Sequence, residues 1–334
     1  MATKLFNSER LIINQLIDTG IFANSMKSIS KEMAEATESL KKTVVQQKVN
    51  NYLHGLIGIY PESIQENLLL LIGSEFESPE TVHVLLATLK AVINLPELQD
   101  ERTDRDVLTQ TIVRQVHSEV TDLDEREIHR LITTLFVDRF KLFTVDHPEF
   151  IDSEHNQEIS EYWNVDPNFN LIAQGIVDQL TSKNNIVLND TQRVNRALLI
   201  HRYISAKRSP YLWDILLNKK DKIAEQWDNL DRFYLECGDG YALLLDKKRQ
   251  QVKSKPAVVA IEVAHRIHSG ISESELNQEI KVISKEFFPN SNIGLSLVKD
   301  ALNDFGLINI RNGFVFPTPI IARFVSKKQS VEEH

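Results

Sequence analysis

The 334-residue chain has a single cysteine, Cys237, so it can form no internal disulfide and holds no CxxC pair for redox chemistry or zinc. No apolar run approaches the roughly 18 residues of a membrane span, and the opening MATKLFNSERLI leads straight into a polar, helix-spaced pattern without a signal-peptide core. A cytoplasmic protein is the expectation. Enzyme signatures are missing too: there is no GxxxxGK(S/T) phosphate loop, no GxGxxG after a strand, no HExxH and no GxSxG. These absences predict a non-catalytic chain with no cofactor of its own.

What is present is an ordinary globular composition, 42% apolar and 25% charged, over a length that suits two or three domains. The formal charge of −9 conceals an asymmetry. Residues 1–191 hold 16 basic against 30 acidic side chains, residues 192–255 hold 14 against 8, and residues 256–325 hold 6 against 7. Only the middle segment has the sign that attracts polyanions.

The first half reads as successive helices. Leu11, Ile12, Leu16 and Ile17 share a face that Gly20 closes, and SMKSISKEMAEATESLKKTVVQQKVNNYLHGLIG, ESIQENLLLLIG, SPETVHVLLATLKAVINL and DEREIHRLITTLFVDRFKLF follow. Ser78-Pro79 is an N-cap with a first-turn proline, and Asp124, Glu125 and Glu127 place negative charge at the positive end of a helix dipole. Residues 146–170 are acidic and aperiodic, which suggests a connector.

From Val187 onward, helices are punctuated by two hairpins. In RFYLECGDGYALLLD, alternating residues flank Gly238-Asp239-Gly240; in LINIRNGFVF, Asn312-Gly313 is the strongest short hairpin signal. Gly306 sits where a helix C-cap needs a left-handed residue, and Ser272 with Glu275 forms a capping-box pattern. Three helices precede each hairpin, and helix-helix-helix-hairpin is the winged-helix order. The predicted fold is therefore mainly α with small β-hairpin wings: a helical N-terminal domain over 1–165, a first winged-helix domain over 186–250 and a second over 256–326.

Candidate chemistry is sparse. Glu262, His265 and His268 have a spacing that could bind a metal, but two histidines and a carboxylate at the polar edge of a helix are more simply a solvated face. Asp100, Asp104 and Asp106 are interleaved with arginines and read as a solvated helix start. No metal is expected. Cys237 reads as a small buried apolar residue.

A base-reading winged helix needs Arg, Lys, Asn or Gln facing outward on its third helix. The third helix of the last copy has Lys299 as its only cation, with Asp300 and Asp304 beside it, and that of the preceding copy has Asp221, Glu225, Asp228 and Asp231 offsetting Lys222 and Arg232. Neither suits base readout. Positive charge gathers instead at Lys247, Lys248, Arg249, Lys253 and Lys255 after the first wing, and at Arg311 on the second. These are candidates for sequence-independent contact with the backbone of double-stranded DNA, or alternatively a solvated linker. Tyr211 and Trp213 after Pro210, and Ile320 and Phe324 in the tail, are candidates for a partner interface or for closing the core.

FYLECGDGYALLLD and SLVKDALNDFGLINIRNGFVFPTPIIARF, over roughly residues 186–326, resemble the tandem winged-helix MukE-like (KITE) subunits of bacterial SMC complexes, including that of Wadjet plasmid-defence systems. The resemblance implies a homodimer that binds a kleisin-like subunit and sits on DNA beside an SMC-like ATPase, associated with the nucleoid. It also implies that nucleotide hydrolysis belongs to the partner. A kleisin-type subunit of the same complex ranks lower, because kleisins carry winged helices at both ends and the first 60 residues show no wing. A stand-alone winged-helix transcription regulator is the reading from another class.

Overall fold

The computed structural model describes residues 4–22, 30–98, 105–146, 161–181, 187–248, 254–268 and 270–324. The chain is mainly helical with small three-stranded antiparallel sheets. Among the described residues no helix is long and apolar enough to cross a membrane. It divides into two compact units, residues 1–192 and 193–334, and the division falls in the first turn of one helix.

Among the described residues one succession of elements recurs four times: a helix, a short strand, helical segments, then two strands. The first copy runs α1 (Asn7–Thr19), β1 (Ile21–Phe22), α2 (Lys31–Leu40), α3 (Thr43–Ile57), β2 (Glu62–Ile64) and β3 (Asn67–Leu69). The second runs α4 (Pro79–Ile93), β4 (Asp106–Leu108), α5 (Thr109–His117), α6 (Glu125–Ile132) with a π-helical continuation Thr133–Arg139, β5 (Phe143–Asp146) and β6 (Tyr162–Val165). The extra helix α7 (Phe169–Thr181) follows. The third copy has α8 (Asp190–His201), β7 (Tyr203–Ser205), α9 (Pro210–Asp228), β8 (Phe233–Gly238) and β9 (Tyr241–Asp246), and its α9 is two helices joined across a kink at Lys219. The fourth has α10 (Lys255–Arg266), β10 (Ile271–Ser272), α11 (Glu273–Phe287), α12 (Leu295–Asp304), β11 (Ile308–Arg311) and β12 (Phe314–Pro317). In every copy the last strand lies in the middle of its sheet, between the first strand and its hairpin mate.

The helical reading of residues 1–165 is corrected by this pattern. ESIQENLLLLIG forms the β2–β3 hairpin, not a helix, and β4, β5 and β6 make a second sheet in the same region. The turn of the first hairpin puts Gln65 at φ 54°, a left-handed conformation for which no glycine or asparagine gives a sequence signal. In the aperiodic stretch 146–170, Tyr162–Val165 pairs with both β4 and β5, and α7 begins at Phe169.

Local signals act where the chain carries them. Ser272 Oγ accepts the Glu275 backbone N–H at 3.3 Å while the Glu275 carboxylate accepts the Ser272 N–H at 2.7 Å, so two orphan donors of α11 are satisfied. Asp124 and Glu127 do the same for α6, and Ser78 Oγ accepts the Thr81 N–H at 3.3 Å to open α4. Gly306 adopts φ 61° after α12, which lets its own N–H reach the Asn303 carbonyl and that of Leu307 reach Leu302. Asn312 and Gly313, at φ 51° and 77°, make the two-residue turn between β11 and β12.

Each unit buries its own core. In the first, Ile21 and Leu69 of the β1-β3-β2 sheet join a cluster with α4, α5, α6 and α7, and Phe136, Phe143, Trp163 and Phe169 stack at its centre. In the second, Tyr203 and Leu243 of the third copy join Val259, Val263, Leu276, Ile280, Ile283, Val298 and Leu302 of the fourth. Trp227 stands edge-on to Phe233, and its indole N–H donates to the buried Asn195 Oδ1 at 2.9 Å.

Candidate nucleic-acid and partner interface

The basic residues picked out after the third copy do not form one cluster. Lys247 Nζ is 3.2 Å from Asp228 and 3.3 Å from Asp231, at the end of the third copy's last helix. These contacts, the Asp228 hydrogen bond foremost, raise its pKa and leave little net charge there for a phosphate. Lys255 donates to Ser291 Oγ at 2.9 Å and lies 5.7 Å over the Phe288 ring, fixed to its own copy. Lys248 is exposed, its backbone N–H held by Asp246 at 2.8 Å. Arg249 and Lys253 lie outside the described residues.

Arg311 keeps an open position. The hairpin turn holds it exposed beside the groove that Lys207, Arg208, Asn303, Ile308, Asn309 and Ile310 complete, about 560 Å³ in volume. Lys207 and Arg208 come from the turn between β7 and α9. That turn is fixed by Ala206 N–H donating to Gly240, Arg208 N–H donating to Ser205 Oγ at 3.1 Å, and Ser209 N–H donating to the Ser205 carbonyl. Residue-by-residue reading missed this pair, although both count in the basic middle segment. Their sequence signal was Lys-Arg directly before Ser209-Pro210, an N-cap position followed by a first-turn proline.

The third-helix chemistry differs among copies. Asp228 closes α9 against Lys247, whereas α3 exposes Thr43, Val44, Gln47, Asn51 and Gly55 and contains no carboxylate. Lys48, on the inward side of α3, reaches the buried Glu9 carboxylate at 3.0 Å. An uncharged helix face bearing glutamine and asparagine has the donor and acceptor pairs that read adenine edges.

Partner-interface candidates need correction. Trp213 is only 9% exposed and Ile320 only 6%, and Phe324 is half-buried against Phe305 with its carbonyl hydrogen-bonded to His265 Nε2 at 3.1 Å. These three close the core of the second unit. Tyr211 remains exposed, with its hydroxyl 3.4 Å from Arg193 Nη1.

His265 is thus occupied by Phe324, Glu262 pairs with Arg266 at 3.5 Å, and His268 lies beyond the end of α10. Among the described residues no group of His, Cys, Asp and Glu has a metal-binding arrangement. Asp106 accepts from Asn164 Nδ2 at 2.7 Å in the sheet, and Asp100 and Asp104 lie outside the described residues. Half-burial on β8 pushes the Cys237 thiol up, away from the thiolate form that nucleophilic chemistry needs. No protein-family model matches the chain, and comparison with curated proteins finds no match.

Proposed function

We propose that the chain is a non-catalytic, tandem winged-helix subunit of an SMC or condensin-like complex, acting in plasmid or phage defence or in chromosome organisation. It binds a kleisin-like partner and the DNA backbone, beside an SMC-like ATPase that supplies nucleotide hydrolysis. The observation that carries this reading is the fourfold recurrence of one element order, each copy with its last strand central in a three-stranded sheet. Helix, strand, two helices and a two-stranded wing is the winged-helix succession. A chain of such copies presents several separate surfaces on one polypeptide, which suits an adaptor.

Affinity purification of the tagged protein from its native host tests the proposal. An SMC-type ATPase and a kleisin-like chain are expected in stoichiometric amounts; recovery of the protein without either would overturn it. The kleisin-type alternative gains weight from the β2–β3 hairpin, which places a wing-like element just beyond the first 60 residues. In the same purification that alternative predicts a separate small winged-helix subunit bound to this chain.

One observation favours the transcription-regulator reading: the carboxylate-free face of α3 with Gln47 and Asn51 outward. Selection from a random-sequence DNA pool separates the two. Enrichment of a single palindromic motif supports the regulator, and recovery without sequence preference supports the SMC-type subunit.

A further inference from the structure

We propose that Lys207, Arg208 and Arg311, with Asn303 and Asn309, form a composite phosphate site built jointly by the third and fourth copies, whose ligand is the sugar-phosphate backbone of a DNA duplex. The proposal rests on the DNA-backbone reading above and moves the contact from the segment 247–255 to this groove.

Three features point there. First, among the described residues no carboxylate stands within ion-pair distance of Lys207, Arg208 or Arg311, whereas Lys247, Arg232, Arg266 and Arg323 of the same unit are all paired. Three unneutralised cations lining one groove repel one another, and a phosphate relieves that repulsion. Second, both sources of charge are preorganised. The β7–α9 turn is tied by three hydrogen bonds, and Arg311 pairs with Phe314 across a two-residue turn, so the backbone that carries the charges loses little ordering entropy on binding.

Third, the lining chemistry selects among polyanions. Asn303 and Asn309 supply neutral amide donors that suit phosphate oxygens. None of the seven lining residues is aromatic, so the groove has no platform on which unstacked bases of a single strand could stack. A duplex, which presents phosphates with its bases already stacked, fits better. The surrounding unit carries 22 basic against 17 acidic residues over 193–334, so its field attracts the ligand.

Fluorescence anisotropy of the full chain with a mixed-sequence duplex, titrated with salt, tests the site. The triple variant Lys207→Ala, Arg208→Ala, Arg311→Ala removes three phosphate contacts, so the log-log salt slope should flatten by about 2.7 and affinity at low salt should fall by at least about tenfold. All three residues are exposed, and an unchanged thermal melt checks that the variant is folded. Arg311→Gln alone should flatten the slope by about 0.9, and Lys281→Ala, exposed on α11 and outside the groove, should change nothing. If the wild-type chain binds the duplex but the triple variant binds equally well, or Lys248→Ala carries the loss instead, the groove is wrong and the DNA reading stands. Preference for a single strand of the same sequence overturns the duplex assignment. Absence of any duplex binding by the wild-type chain overturns both.

Discussion

Residues 1–192 and 193–334 are each assembled from two copies of the same element succession, yet their formal charges are −14 and +5. The fold is specified by inward-facing positions: Leu276, Ile280 and Ile283 on α11 do the same work as Val84, Leu85 and Leu89 on α4. Outward positions are free of that constraint. One unit can therefore repel phosphate while the other attracts it, without a change in architecture. The acidic unit is the more aromatic at its centre, with Phe136, Phe143, Trp163 and Phe169 stacked, and the basic unit relies on aliphatic packing plus the Trp227–Asn195 hydrogen bond.

The largest effects should come from breaking each core in turn. Phe143→Ala in the first unit and Trp227→Ala in the second should each cost about 3–5 kcal/mol by denaturant titration; a cost near zero for either would mean that the side chain is not buried in solution. Next come two lysines with opposite surroundings. Lys48→Ala strips the charged partner from the buried Glu9 carboxylate, which among the described residues keeps only the Phe6 N–H, and should cost about 1.5–3 kcal/mol. Lys247→Ala, at an exposed pair, should cost less than about 1 kcal/mol. The Lys247 pair raises the folded-state pKa of the lysine, so its small contribution is present below the ordinary lysine value and is lost only as pH rises through the raised one. Equal costs for the two substitutions would remove this distinction between the units.

The smallest effects lie at the hairpin turns and have opposite signs. Gly313 at φ 77° should lose about 1 kcal/mol on Gly313→Ala, while Gln65 at φ 54° should gain up to about 1 kcal/mol on Gln65→Gly. Thermal melts of the two variants check this; shifts of the same sign would contradict it.

This turn pair also explains what was legible in the sequence. Asn312-Gly313 and Asp239-Gly240 announce their hairpins because glycine and asparagine tolerate left-handed backbone. Gln65 does so without such a signal, in a segment whose Leu68, Leu69 and Leu70 read equally well as helix. The first strand of each copy is two or three residues long, too short for an alternating period, and exists only because the hairpin behind it offers a paired edge. Half of the repeat was therefore hidden by tertiary pairing, not by unusual composition. The groove was hidden for a related reason. Lys207 and Arg311 are about a hundred positions apart in the chain, and nothing local says that one turn and one hairpin tip line the same surface.

Amide hydrogen exchange of the full chain, with and without a mixed-sequence DNA duplex at low salt, tests the assignment of charge to partner most directly. Slowed exchange at residues 203–209 and 308–314, with α3 unchanged, is the predicted result. Protection centred on α3, or anywhere within residues 1–192, would contradict it.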